Sequence, residues 1–220
     1  MQNHILYYFD KRMEQESANT MLNDDRVVEF VTRAAEYSTF VENTGNFSKK
    51  DFIRKALLLL SDLYHLMLSL PPVENATNAT NEKFVTEKDW HSIYHKVSEK
   101  LGYHNDYLDV YDPVSKEEEE VSVVTLGDNL ADMYQDIKDF VTLYSMGNDE
   151  VMMDALWECQ MNFEEYWGHK TLNALRVLHR IYFGNEDLED MPGGAESKDE
   201  ERENWLFNKK REQYKNKNGQ

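Results

Sequence analysis

The chain has 220 residues, enough for one domain with tails, and 40% hydrophobic and 12% aromatic residues argue against global disorder. Only 9 glycines and 4 prolines are present, which argues against a turn-rich all-β fold and favours an all-α one. The formal net charge of −18 repels phosphate backbones and anionic lipid surfaces, so neither nucleic acid nor a membrane is expected as a partner.

Cys159 is the one cysteine, so a single chain forms neither a disulfide nor a thiolate metal cage. No stretch approaches the roughly 20 apolar residues of a membrane-spanning helix. The apolar run at residues 5–9 is too short for the core of a signal peptide. Together these features predict a cytoplasmic protein.

Three helices are predicted in the first half of the chain. From Asn23 onward, apolar residues recur every three or four positions, which predicts a helix that stops at Asn43-Thr44-Gly45. Two pairs of hydroxyl and acidic residues resemble capping boxes at the starts of the second and third helices: Ser48 with Asp51, and Thr86 with Asp89. A polar linker, residues 73–83, separates these two helices.

The stretch from His104 to Val124 is predicted to be a long irregular connection. It contains Asn105-Asp106-Tyr107 and an acidic run at residues 117–120. Loops of more than about 15 residues are uncommon in compact domains and are usually functional or mobile.

The stretch from Thr125 to Gly184 predicts two long amphipathic helices joined by Met146-Gly147-Asn148. The short break forces them into an antiparallel hairpin. Gly168 indicates a kink or a close crossing in the second helix, and whether a separate helix follows is left open. Four residues of the resulting bundle are expected to be buried: Leu58, Phe140, Phe163 and Trp167.

The predicted organisation is an arm or extension at residues 1–22, one bundle of five or six helices at residues 24–183, and a tail at residues 184–220. Residues 184–204 hold nine acids and two bases, whereas residues 205–220 hold one acid and five bases. This composition is typical of a disordered tail.

Two segments carry a resemblance to a known family: Asn129-Leu-Ala-Asp-Met-Tyr-Gln-Asp-Ile-Lys-Asp-Phe140 and Asn162-Phe-Glu-Glu-Tyr-Trp-Gly168. With His104-Asn-Asp-Tyr-Leu-Asp109 and Glu29-Phe-Val-Thr32, they resemble an uncharacterised bacterial family, domain of unknown function 5063. The resemblance covers about residues 24–183. It implies an all-helical bacterial protein and supplies no activity, cofactor or catalytic residue.

Four aspartates stand four, four and three positions apart on one face of the predicted Thr125 helix: Asp128, Asp132, Asp136 and Asp139. Clustered carboxylates can hold Mg²⁺ for phosphate chemistry. One hypothesis is therefore a Mg²⁺-dependent phosphohydrolase that uses Asp132, Asp136, Asp139 and Glu164. The competing interpretation is a solvated surface, because the stripe lies opposite the apolar face and a second acidic helix is missing.

Histidine spacings give two further metal hypotheses. His91 and His95 stand one turn apart, as in helical zinc sites, and Asp62 with His65 has the spacing of one helical di-iron motif. The remaining ligands of such sites are missing, so we interpret these histidines as surface or capping residues.

The preferred hypothesis is a non-catalytic interaction module that has no cofactor and whose partner is a protein with a basic patch. It depends on the net charge, the acidic connection at residues 106–120 and the lack of a complete catalytic set. The predicted contacts are Asp106, Tyr107, Asp109 and Tyr111. Two alternatives stay open, namely that the charge only maintains solubility, or that the acids imitate the phosphates of DNA.

Overall fold

The computed structural model describes residues 19–77, 80–110, 121–184 and Leu188. Six α-helices lie in these ranges: α1 (Asp25–Glu42), α2 (Lys49–Ser69), α3 (Glu87–Leu101), α4 (Leu126–Tyr144), α5 (Asp149–Asn162) and α6 (Gly168–Phe183). Two strands, β1 (Asp106–Val110) and β2 (Val121–Thr125), lie between α3 and α4. The predicted helical bundle is confirmed, and residues 1–18 of the N-terminal arm and most of the tail lie outside the described residues.

Side-chain caps begin four of these helices, and two of them are the capping pairs predicted at Ser48 and Thr86. Ser48, Thr86, Thr125 and Asn148 each accept the backbone N–H of the residue three positions on. Each cap satisfies an amide that the first helical turn leaves without a partner. The turn between α4 and α5 contains Gly147 at φ +71°, a conformation that suits glycine.

Helix α4 is the centre of the bundle and packs against α1, α3, α5 and α6. The buried hydroxyl of Tyr37 on α1 donates to the carbonyl of Leu130 at 2.8 Å, fixing α1 against α4. Phe140, Phe163 and Trp167 are buried, as predicted. The prediction for Leu58 is wrong, because its side chain is 57% exposed while Leu59 and Leu60 point into the core.

The connection before α4 is more regular than predicted. Strands β1 and β2 pair antiparallel, with Asp106 opposite Thr125 and Val110 opposite Val121. Asn105 joins this hairpin to α4, because its carbonyl accepts the N–H of Leu126 at 2.8 Å. The prediction of an irregular connection is therefore wrong for the described part, and residues 111–120 lie outside it.

The chain extends beyond the predicted limits of the packed domain. Leu22 is buried, and its carbonyl accepts the hydroxyl of Tyr144 at 2.7 Å. Leu188, after α6, is also buried against the core. Among the described helices, none is long and apolar enough to cross a membrane.

Candidate functional site

The aspartate stripe of α4 is not a solvated surface. Asp139 is only 2% exposed, and Asp128, Asp132 and Asp136 are half-buried. The interpretation as a solvated face is wrong, because α3 and α5 pack onto α4 and the segment before α3 lies against Asp139. Each carboxylate therefore needs donors from these neighbours to offset the loss of water.

Asp139 and Asp154 hold the linker that precedes α3. Asp139 Oδ1 accepts the backbone N–H groups of Phe84 and Val85 at 2.8 and 2.9 Å. Asp154, on α5, accepts the N–H of Ala76 at 2.5 Å and also the hydroxyl of Thr77. The backbone N–H groups of an irregular segment have no partners within that segment, and these two carboxylates accept them instead. We therefore assign Asp139 and Asp154 a structural role.

Asp132 connects three elements through one carboxylate. Its Oδ1 accepts the indole N–H of Trp90 on α3 at 2.9 Å. Its Oδ2 accepts the hydroxyl of Tyr166 at 2.7 Å and lies 3.0 Å from Nζ of Lys170 on α6. Burial and this hydrogen bond raise the pKa of Tyr166 well above its usual value, so the phenol stays a donor.

Asp136 lies one turn further along α4. Asn162 donates its side-chain N–H to Oδ1 of Asp136 at 3.1 Å. Burial raises the pKa of Asp136 to about 6, and Asp139 and Glu158 also raise it, whereas Lys83 and the Asn162 hydrogen bond lower it. This carboxylate therefore changes its charge closer to neutral pH than an exposed aspartate does.

Aromatic rings border these two carboxylates. The rings of Trp90 and Tyr94 are stacked, with centroids 5.5 Å apart and planes 5° apart. The side chain of Tyr166 is 45% exposed, and Nζ of Lys170 lies 5.2 Å from the centre of its ring. We name the following six residues the acidic–aromatic cluster: Trp90, Asp132, Asp136, Asn162, Tyr166 and Lys170.

The cluster depends on a π turn, Phe163–Trp167, that interrupts the predicted long helix. A Cβ atom on Gly168 would lie 2.5 Å from the carbonyl oxygen of Phe163, so glycine is required at this close approach. The turn exposes Glu164, Glu165 and Tyr166 while Trp167 stays buried. Such π turns occur frequently at functional sites.

The predicted metal ligands are not brought together. Glu164 is exposed on the π turn, whereas both oxygens of Asp132 and Oδ1 of Asp139 accept from protein donors. Within residues 19–77, 80–110 and 121–184, no group of three or more His, Cys, Asp or Glu side chains is placed to hold a metal ion. The described residues therefore do not fit the proposed Mg²⁺ site.

The histidines with metal-site spacings lie on exposed helix surfaces. The rings of His91 and His95 are 6.3 Å apart between centroids, and His91 Nε2 lies 3.6 Å from Glu87. His65 is exposed, and Asp62 pairs with Arg33 of α1 at 3.4 Å. These contacts agree with surface and pairing roles.

The predicted partner contacts fall in different environments. Tyr107 is 8% exposed, and its hydroxyl accepts the side-chain N–H of Asn129 at 2.5 Å. Its expected position outside the core is therefore wrong, because strand pairing directs it inward. Asp106 is half-buried and accepts from the side chain of Asn105 at 3.2 Å. Tyr111 and the side chain of Asp109 lie outside the described residues.

Four members of the cluster were not predicted from the sequence: Trp90, Asn162, Tyr166 and Lys170. They come from four elements, namely α3, α5, the π turn and α6. One signal was present, because Asn162-Phe-Glu-Glu-Tyr-Trp-Gly168 is one of the segments that carries the family resemblance. Its two ends, Asn162 and Gly168, are the residues that contact Asp136 and permit the π turn.

The fold and the cluster define an all-helical protein with an acidic and aromatic surface beside its central helix. The chain belongs to the family described as Domain of unknown function (DUF5063), whose model matches residues 22–184. It is similar to the crystal structure of protein BF1032 from Bacteroides fragilis, with 32% identity and a TM-score of 0.66. That match covers 76% of this chain and 98% of the other. No curated protein matches the sequence.

Proposed function

We propose that this protein is a non-catalytic interaction module whose acidic–aromatic cluster binds an arginine or lysine side chain in a basic patch of a partner protein. The observation that carries the proposal is the π turn, which presents the half-exposed ring of Tyr166 beside the exposed carboxylates Glu164 and Glu165.

The charge around this ring favours a cationic partner. The π turn places the two exposed acids Glu164 and Glu165 beside this ring. Helix α5, which leads into the turn, contains four acids and no Lys or Arg, of which Asp154 is buried and Glu158 pairs with Lys83 at 3.0 Å. A field of one sign attracts a partner of the opposite sign and raises the association rate at low salt. The module would therefore select its partner first by charge.

The ring of Tyr166 would supply affinity. An anchor side chain that is already fixed loses little conformational entropy on binding. Tyr166 is fixed through its hydroxyl, which Asp132 accepts at 2.7 Å. A cation over an aromatic face contributes about 0.5 to 2 kcal/mol. Nζ of Lys170 already lies 5.2 Å from the centre of this ring, so a partner cation would approach the half-exposed ring from another side.

Affinity purification from the native organism, at low and at high salt, tests the proposal. We expect a partner retained at low salt, released at high salt, and weakened about tenfold or more by Tyr166→Ala. Tyr166→Phe keeps the ring and should weaken binding less. The double variant Glu164→Gln and Glu165→Gln tests the charge of the π turn. Its matched control is the double variant Glu29→Gln and Glu74→Gln.

Two results would contradict the proposal. One is the lack of any reproducible partner at either salt concentration. The other is a partner whose retention is unchanged both by salt and by Tyr166→Ala. A calorimetric titration with Mg²⁺ distinguishes this proposal from the phosphohydrolase hypothesis. That hypothesis requires that the wild type binds Mg²⁺ and that Asp136→Asn removes the binding.

A further inference from the structure

Helices α2 and α6 differ in charge from the rest of this acidic protein. Helix α6 contains Lys170, Arg176 and Arg180 and no Asp or Glu. Helix α2 contains four bases and two acids. Of these acids, Asp51 accepts from the capping residue Ser48, and Asp62 pairs with Arg33 of α1.

Each of these helices presents an exposed stripe without acids. On α2 six exposed residues recur at helical spacing, Lys50, Arg54, Leu58, Ser61, His65 and Leu68, and the exposed capping partner Asp51 lies beside this stripe in the first turn. On α6 the exposed residues are His169, Leu172, Arg176, His179, Arg180 and Phe183. Among the described residues seven large hydrophobic side chains are exposed, and four of them lie in these stripes: Leu58, Leu68, Leu172 and Phe183. Exposed apolar residues that are grouped in this way indicate a covered surface.

The two stripes border one seam. Helices α2 and α6 pack together, and the ring of Tyr64 near the end of α2 lies 5.1 Å from that of Phe163 just before α6. The helices therefore run antiparallel. At 100° per residue, Arg54 and Leu68 lie on the same side of α2 as Tyr64. We name the two stripes together the α2–α6 face.

We infer that the α2–α6 face is the docking surface for the acidic segment of this same chain, residues 186–203. This inference is independent of the proposed function, which uses the opposite charge on other elements. The segment contains nine acids and two bases, and it begins two residues after Gly184, which follows the last residue of α6. Its charge is therefore complementary to that of the face.

Length and position support this occupant. Eighteen residues span at most about 60 Å when extended, whereas the 16 residues of α6 span about 24 Å. The segment can therefore return along the whole face. Leu188, near its start, is buried against the core and shows the chain in contact with the domain just beyond the helix. A tethered segment also has an effective concentration in the millimolar range, so weak contacts suffice.

Carbodiimide cross-linking of the full chain tests this inference, because the reagent joins a lysine amine to a carboxylate without a spacer. We expect Lys50 to be linked to acids of residues 186–203. With Arg54→Glu and Arg176→Glu together, the yield of these links should fall by about tenfold, because two attractive charges become repulsive. The matched control, Lys88→Glu with Lys96→Glu on α3, should leave the yield unchanged.

Charge reversal could disturb folding, so a milder double variant, Arg54→Gln with Arg176→Gln, is also measured. It should still lower the yield of links between Lys50 and the acidic segment. A mixture of ¹⁵N-labelled and unlabelled chains separates links within one chain from links between two. The inference is overturned if Lys50 is linked to these acids no more often than Lys88 is. It is also overturned if neither pair of arginine substitutions changes the yield of the links, or if the links join different chains.

Discussion

The carboxylate of Asp136 is half-buried beside α5, and the amide of Asn162 is the donor placed to stabilise its charge. Burial disfavours the charged form, which is why the pKa of Asp136 is about 6 rather than 3.8. The contribution of Asp136 to stability is therefore fully present below about pH 4 and is lost as the pH rises through 6. A functional role would explain why the protein keeps a residue that lowers its stability at neutral pH.

Asp136→Asn should reveal this cost. At pH 7.5 the variant should be more stable than the wild type by about 1 to 3 kcal/mol, because an uncharged amide removes the desolvation penalty. Near pH 4 the two proteins should be equally stable. Urea unfolding at both pH values measures the difference. A gain that is equal at pH 4 and pH 7.5 would contradict the assignment.

Phe163 and Leu58 test residue burial directly. The ring of Phe163 is buried and lies 5.1 Å from Tyr64 and 4.6 Å from Trp167. Phe163→Ala should therefore cost about 3 to 5 kcal/mol of unfolding free energy. Leu58→Ala should cost less than about 1 kcal/mol because that side chain is exposed. Chemical denaturation measures both losses of unfolding free energy. Similar losses for the two variants would contradict the burial of Phe163 and the exposure of Leu58.

At the scale of elements, the helices could be predicted because their starts are local. Ser48, Thr86, Thr125 and Asn148 each bond to an amide three residues away, so both partners lie in one short stretch of sequence. The β1–β2 hairpin was missed because its strands have five residues each and their pairing spans a long connection. Tyr107 was therefore predicted to lie outside the core, whereas its side chain is buried.

The acidic–aromatic cluster could be predicted only in part, for the same reason. Asp132 and Asp136 were visible as a helical repeat, but their partners Trp90, Asn162 and Tyr166 are 26 to 42 residues away in sequence. The π turn was also hidden, since a change in hydrogen-bond register leaves the apolar pattern almost intact. Gly168 marked its position without specifying its geometry.

Gly168→Ala should disrupt the π turn. The added Cβ would meet the carbonyl oxygen of Phe163 at 2.5 Å, and a backbone atom cannot move aside without shifting the turn. We expect a loss of about 1 to 3 kcal/mol in unfolding free energy. Gly45→Ala is the matched control, because a Cβ there meets nothing within 4 Å. Equal stability of the two variants in urea would exclude the close contact.

At the scale of the whole molecule, charge is divided between two sides of one small bundle. The α5 helix and the π turn carry acids without a single base, whereas α6 carries bases without a single acid. A net charge of −18 describes neither side. This division of charge would attract both of the proposed occupants, a basic partner at the acidic–aromatic cluster and the acidic segment at the α2–α6 face.

The kinetics of partner binding should separate charge from contact. Glu164→Gln with Glu165→Gln should lower the association rate constant and its dependence on salt, because exposed rim charges act mainly on the approach of the partner. Tyr166→Ala should mainly raise the dissociation rate constant, because an anchor acts after contact is made. Surface plasmon resonance with the partner retained at low salt measures both constants. If Tyr166→Ala changed only the association rate, the ring would not be the anchor, and the cluster would serve to steer the partner rather than to hold it.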